Sequence, residues 1–175
     1  MNHQQLRELI YSRKPKYSSK FRTLVERLST KGDATGKGSF TTLGPIYQTF
    51  MYAYIVGMRL GKKVPIQEQK IEFAPIANWK PASVRDFIII TLLNRSEDFS
   101  DYHWDWLSLE NTSEENVGNF VTSLIREMES YANAGFEYLQ EKWDEGSTTA
   151  FTQPTVFVDI LNELPQKGND ANRNK

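Results

Sequence analysis

The stretch from Phe40 to Pro65 constrains this chain most, because both ends of a buried helix are written into it. It opens Phe40-Thr41-Thr42-Leu43-Gly44-Pro45, and a proline just inside a helix start is tolerated because the N–H it lacks would have no intrahelical partner there. An aromatic and aliphatic run follows through Tyr47, Phe50, Met51, Tyr54, Ile55 and Met58. The segment closes as Arg59-Leu60-Gly61-Lys62-Lys63-Val64-Pro65, with cations in the last turn, a glycine at the stop and a proline beyond it. The pattern predicts a buried helix ending at Gly61.

With 175 residues, 39% of them apolar and 13% aromatic, the chain has the material for one domain with a proper core. The expected organisation is a single helical domain over residues 1–165, with 1–16 as an N-terminal arm and 166–175 as a disordered polar tail. No apolar run approaches the length of a membrane span, and Met1-Asn2-His3-Gln4-Gln5 lacks the plan of a signal peptide. A soluble, cytoplasmic protein is therefore expected. The absence of cysteine excludes disulfides, thiol nucleophiles and thiolate metal sites, and His3 and His103 are the only imidazoles.

The net charge of -1 conceals an asymmetry. Residues 1–63 carry 12 Lys and Arg against 3 Asp and Glu, and residues 64–175 carry 9 against 19. Such a split suits a basic face for nucleic acid, or one half neutralising the other within a fold or between subunits.

Leu6, Leu9 and Ile10 predict a short amphipathic helix that ends before Pro15. Phe21, Leu24, Val25 and Leu28 then share one helical face, with Lys20, Arg22, Glu26 and Arg27 opposite. Residues 31–39 resemble a phosphate loop only superficially. Gly32 and Gly36 enclose three residues instead of four, and Gly38 stands where a hydroxyl is needed. A connector offering Lys31 and Lys37 to a backbone phosphate is the simpler reading.

The short alternation Lys70-Ile71-Glu72-Phe73 fits either an edge strand, one short β element near residues 64–76, or an extended connector. The run from Val84 through Leu93 has β-branched content that suits a strand, but Ser83 as a cap and the length favour a helix. Residues 96–115 are acidic and turn-prone. Asp98, Asp101, His103 and Asp105 are the candidate metal ligands there, against the plainer reading of an exposed acidic loop pinned by Trp104 and Trp106. Thr112 and Glu115 form a capping-box pattern, and apolar positions from Val117 to Trp143 recur at helical spacing, predicting the longest helix. Its exposed side carries Glu127, Glu129, Glu137 and Glu141, part of an acidic stretch from Ser96 to Glu145 that would repel nucleic acid. Its stripe suits packing on other helices or a dimer seam, for which Tyr131, Gly135, Phe136 and Leu139 are the interface candidates. Pro154 opens a last helix with Val156, Phe157, Ile160, Leu161 and Leu164 on its face. The fold class is thus mainly α, a bundle of about five to six helices.

Two short motifs carry a resemblance. Gly57-Met58-Arg59-Leu60-Gly61-Lys62-Lys63-Val64-Pro65 and Tyr131-Ala132-Asn133-Ala134-Gly135, the second with Ala134 in place of a first glycine, resemble a family of small accessory proteins encoded beside bacterial DNA phosphorothioation (Dnd-type) modification and restriction genes. The resemblance spans residues 20–145 and implies an anti-phage defence context, with no catalytic residues to carry over.

The leading functional expectation is a non-enzymatic accessory protein, without a cofactor, that binds DNA or proteins of a modification-restriction complex. Its candidate phosphate contacts are Lys31, Lys37, Arg59, Lys62 and Lys63. The alternatives are a hydrolase and a structural subunit. A glycosidase would need two carboxylates facing across an aromatic-walled cleft, and a metal-dependent nuclease would need the 98–105 acids to converge. A structural oligomer would pair its basic third with the acidic remainder of a neighbouring copy.

Overall fold

Apolar residues at three- and four-residue spacing dominate the chain, and the secondary structure follows them. The computed structural model describes residues 3–29, 42–98, 111–145 and 150–164. It is mainly helical, at 71% helix with a small two-stranded antiparallel sheet, as the sequence implies. In chain order the elements are α1 (His3–Ser12), β1 (Lys16–Ser18), α2 (Arg22–Leu28), α3 (Ile46–Leu60), β2 (Lys70–Glu72), α4 (Ala82–Asn94), α5 (Glu114–Asp144) and α6 (Val156–Glu163). By contacts the chain divides into two compact units, one of residues 1–19 and 65–130, the other of 20–64 and 131–175. Helix α5 contributes residues to each.

The second unit is built on α3 and the later half of α5. Helix α3 stops where the sequence says it should. Gly61 adopts a left-handed φ of 62°, and the N–H groups of Gly61 and Lys62 donate to the carbonyls of Met58 (3.1 Å) and Gly57 (3.2 Å). This double closure satisfies carbonyls that the helix end would otherwise leave unbonded. A Cβ on Gly57 would fall on the carbonyl of Tyr131, and one on Gly135 would fall on the carbonyl of Ala53. The absent side chains let the α3 and α5 backbones touch. Rings close around the contact: Phe136 lies 5.6 Å from Phe21 and 6.3 Å from Phe50, and Tyr54 meets Tyr131 edge-on at 5.9 Å. Tyr131, Gly135, Phe136 and Leu139 are all buried inside this unit. Helix α6 docks through Tyr52, whose hydroxyl donates to the carbonyl of Phe157 at 2.7 Å.

In the first unit, Leu6 and Ile10 of α1 are buried, and the Ile76 N–H donates to the Arg13 carbonyl at 3.0 Å just past α1. Phe73 stacks on Trp79 at 5.8 Å and meets Tyr17 at 6.1 Å, while the indole N–H of Trp79 donates to the Ala74 carbonyl. Strand β2 is the β element expected near 64–76. Its partner β1, after Pro15, is too short to show an alternation and was not anticipated. The run from Val84 is a helix, α4, which buries Ile88, Ile89 and Leu92 and leaves Phe87 and Ile90 exposed. Ser83 lies inside α4, which is preceded by Pro81. At the start of α5 the hydroxyl that accepts from the Asn116 N–H (3.2 Å) is that of Ser113, one residue beyond the predicted Thr112.

Because the α3–α5 contact admits no Cβ, Gly57→Ala and Gly135→Ala should each destabilise the protein by about 2–3 kcal/mol despite alanine's better helix propensity. Gly118→Ala, where an added Cβ meets nothing within 4 Å, should instead stabilise by up to about 1 kcal/mol. Thermal unfolding of the three variants beside the wild type checks both signs.

Candidate anion-binding cleft

A one-residue spacing rule and a four-residue rule bring the cleft together. Strands β1 and β2 pair antiparallel in the register Lys16↔Glu72, Tyr17↔Ile71 and Ser18↔Lys70. Alternation therefore puts Lys16, Lys70 and Glu72 on the face opposite the buried Tyr17. On α5, Thr122, Ile125, Arg126 and Glu129 fall on one side of the helix by the same geometry that aligns i, i+3, i+4 and i+7. The last residue of α1, Ser12, and the non-helical Arg13 and Lys14 before Pro15 complete the lining. These ten residues line a cleft of about 530 Å³.

The lining is cationic and mostly polar. Arg13, Lys14, Lys16, Lys70 and Arg126 face Glu72 and Glu129, five cations against two carboxylates, so three positive charges are in surplus. Among the described residues of the lining, Ile125 is the one large apolar side chain and none is aromatic. Each carboxylate is held by lysines. Glu72 lies 3.4 Å from Lys14 Nζ and 4.0 Å from Lys16 Nζ. Glu129 accepts the Lys16 backbone N–H at 2.9 Å and lies 3.9 Å from Lys70 Nζ.

Glu129 corrects the expected solvent-facing row of acids on the long helix. It is 6% exposed, because four residues after Ile125 and three before Ala132 place it inside the apolar stripe. Burial pushes its carboxyl above the ordinary 4.5, against the opposing pull of the Lys16 amide and of Lys70, Lys16 and Arg126.

The family described as DNA sulphur modification system-associated protein 4 matches residues 15–172, most of the chain. The chain belongs to this family. No curated protein and no solved structure matches it. The resemblance carried by Gly57–Pro65 and Tyr131–Gly135 is thereby borne out, and this DNA sulphur modification-associated protein has no helix among its described residues long and apolar enough to cross a membrane.

Of the phosphate contacts anticipated from the sequence, Arg59, Lys62 and Lys63 are described and do not line the cleft. Arg59 donates to the Leu161 carbonyl at 2.9 Å, Lys62 meets Glu137 at 3.1 Å alongside Lys20 at 3.2 Å, and Lys63 Nζ lies 5.8 Å from the centre of the Tyr131 ring. Lys31 and Lys37 lie outside the described residues, as do Asp101, His103 and Asp105. Asp98 is described and pairs with Arg95 at 3.2 Å. Among the described residues no group of three or more His, Cys, Asp or Glu gathers as a metal site. The cleft residues that sequence reasoning passed over had one visible signal, three cations within Arg13-Lys14-Pro15-Lys16. Their convergence with Lys70 and Arg126 had none.

Because the carboxyl of Glu129 is raised in the fold, the folded chain keeps a proton that the unfolded chain releases as pH rises from 4.5. Its contribution to stability therefore falls with rising pH through that window and levels off above the raised value. Glu129→Gln keeps an acceptor for the Lys16 amide and removes the ionisation. In urea unfolding across mildly acidic pH the variant should gain on the wild type as pH rises; a difference independent of pH would show that Glu129 does not titrate there.

Proposed function

We propose that this protein is a non-enzymatic accessory of a DNA sulphur modification system that contacts the nucleic-acid backbone through the cleft of its first unit. The observation that carries this reading is that the described residues of the lining hold a surplus of three positive charges and no aromatic ring. Phosphates are drawn by clustered cations, whereas a base needs a flat ring to stack on or a donor and acceptor pattern to read. Such a site would hold DNA without regard to sequence. Lys62 and Lys63, exposed after α3, are second-rank contacts in this reading, since Lys62 already serves Glu137.

The glycosidase alternative finds less support. Glu72 and Glu129 do share the cleft, but both are bound by lysines and no aromatic wall faces them. A glycosidase acid also needs access to a glycosidic oxygen, and Glu129 is buried against the strand.

The test is fluorescence anisotropy of short labelled duplexes, plain and phosphorothioated, titrated with the full chain. Binding at low salt should weaken with a log–log salt slope of about -2 to -3, the release expected when two or three phosphates are neutralised. Arg126→Glu should weaken binding and flatten that slope. A preference between the two duplexes would tie the contact to the modification itself. A wild-type chain that binds neither duplex at low salt would refute direct DNA contact and leave docking to a protein of the modification complex.

A further inference from the structure

The five cations of the cleft are not equivalent. Lys14 and Lys16 are drawn to Glu72, and Lys70 to Glu129, whose other oxygen takes the Lys16 amide. These lysines neutralise the two carboxylates and join β1 to β2 and β2 to α5. Arg13 and Arg126 form no ion pair among the described residues. The Nε of Arg13 is moreover buried with no hydrogen-bond partner. A buried guanidinium N–H without an acceptor is a rare and unfavourable arrangement. Arg13 and Arg126 nonetheless both line the cleft.

We infer that Arg13 and Arg126 form a guanidinium clamp for a single phosphate group of the nucleic-acid backbone, while Lys14, Lys16 and Lys70 act as its scaffold. This rests on the reading of the cleft as a backbone-binding site and adds the chemistry of the grip. A guanidinium presents several N–H donors in a rigid plane that matches two oxygens of one phosphate, which an ammonium cannot do. The two arginines come from separate elements, the segment after α1 and the middle of α5. A phosphate held by both would therefore be gripped from two sides. Arg126 is exposed, and Arg13 half-buried, so one can reach toward an arriving strand while the other waits at the wall. Ile125, four residues before Glu129 on the same helix face, is the lining's apolar contact for a sugar edge.

Swaps that keep the charge separate a clamp from a cluster of point charges. In anisotropy titrations of a short duplex at low salt, Arg13→Lys and Arg126→Lys should each bind about tenfold more weakly than wild type, the loss of one charge-assisted hydrogen bond. Lys70→Arg, the reverse swap on a scaffold residue, should stay within about twofold of wild type. If both arginine-to-lysine variants bind as wild type does, affinity follows charge alone and the clamp is overturned, while the backbone-binding reading stands. A tenfold loss in Lys70→Arg as well would also overturn it. If the wild type binds no duplex, the backbone reading fails and inorganic pyrophosphate, followed by calorimetry, becomes the probe. Binding lost in the lysine variants then reassigns the clamp to a free phosphate compound, and no binding removes it. Thermal unfolding of each variant guards against misfolding, and Arg126→Lys, on an exposed helix position, keeps the test decisive if Arg13→Lys does not fold.

Discussion

The α3–α5 backbone contact is the constraint on which most else in this protein depends. Two helices can come this close only where neither carries a side chain, and Gly57 and Gly135 supply that condition from opposite sides. Glycine in a helix interior costs about 1 kcal/mol against alanine. The cost is offset by the aromatic shell of Phe21, Phe50, Phe136, Tyr54 and Tyr131 that closes over the contact and by the apolar area these rings remove from water. The same helix that is gripped here carries Thr122, Ile125, Arg126 and Glu129 earlier along its length.

The cleft shows how charge becomes local once the chain folds. In sequence the basic third and the acidic remainder seem to be separate territories. In the structure Arg13, Lys14 and Lys16 from the first meet Lys70, Glu72, Arg126 and Glu129 from the second. Part of the attraction is spent internally, with each carboxylate held between the lysines beside it. What remains is a small cationic surplus in a lining without rings, and its chemistry suits phosphates better than bases. The chain belongs to a family described as associated with a DNA sulphur modification system, and a DNA backbone is the ligand proposed above for this surface.

A second small network illustrates the balance in the first unit. The Asp86 carboxylate accepts the Tyr11 hydroxyl at 2.6 Å and Arg85 Nε at 2.7 Å. The Arg85 hydrogen bond, foremost, and that of Tyr11 hold its carboxyl below the ordinary range. A group depressed in this way supports the fold above its unfolded pKa and loses that support as pH falls through the folded value, the opposite sign to Glu129. Two carboxylates in one unit thus lean in opposite directions, one because it is buried and the other because it is well bonded.

Much of the fold was legible because local physics wrote it. The apolar period of three and four marked α2, α3 and α5, Gly61 marked a stop that needs a left-handed residue, and Lys70–Phe73 marked a strand by alternation. The strand β1 was not legible, since three residues are too few to display a period. Nor was the role of Gly57 and Gly135, which depends on two backbones meeting across a gap of many residues. The candidate site was the least legible part. Arg13, Lys14 and Lys16 were visible as a cluster, but nothing local links them to residue 70, 126 or 129. The sequence by itself determined the helices, the stop of α3 at Gly61 and the family. Only the tertiary structure decided which cations share one cleft and which of them are already paired, because these depend on distances between segments that hydrophobic packing sets and linear spacing does not.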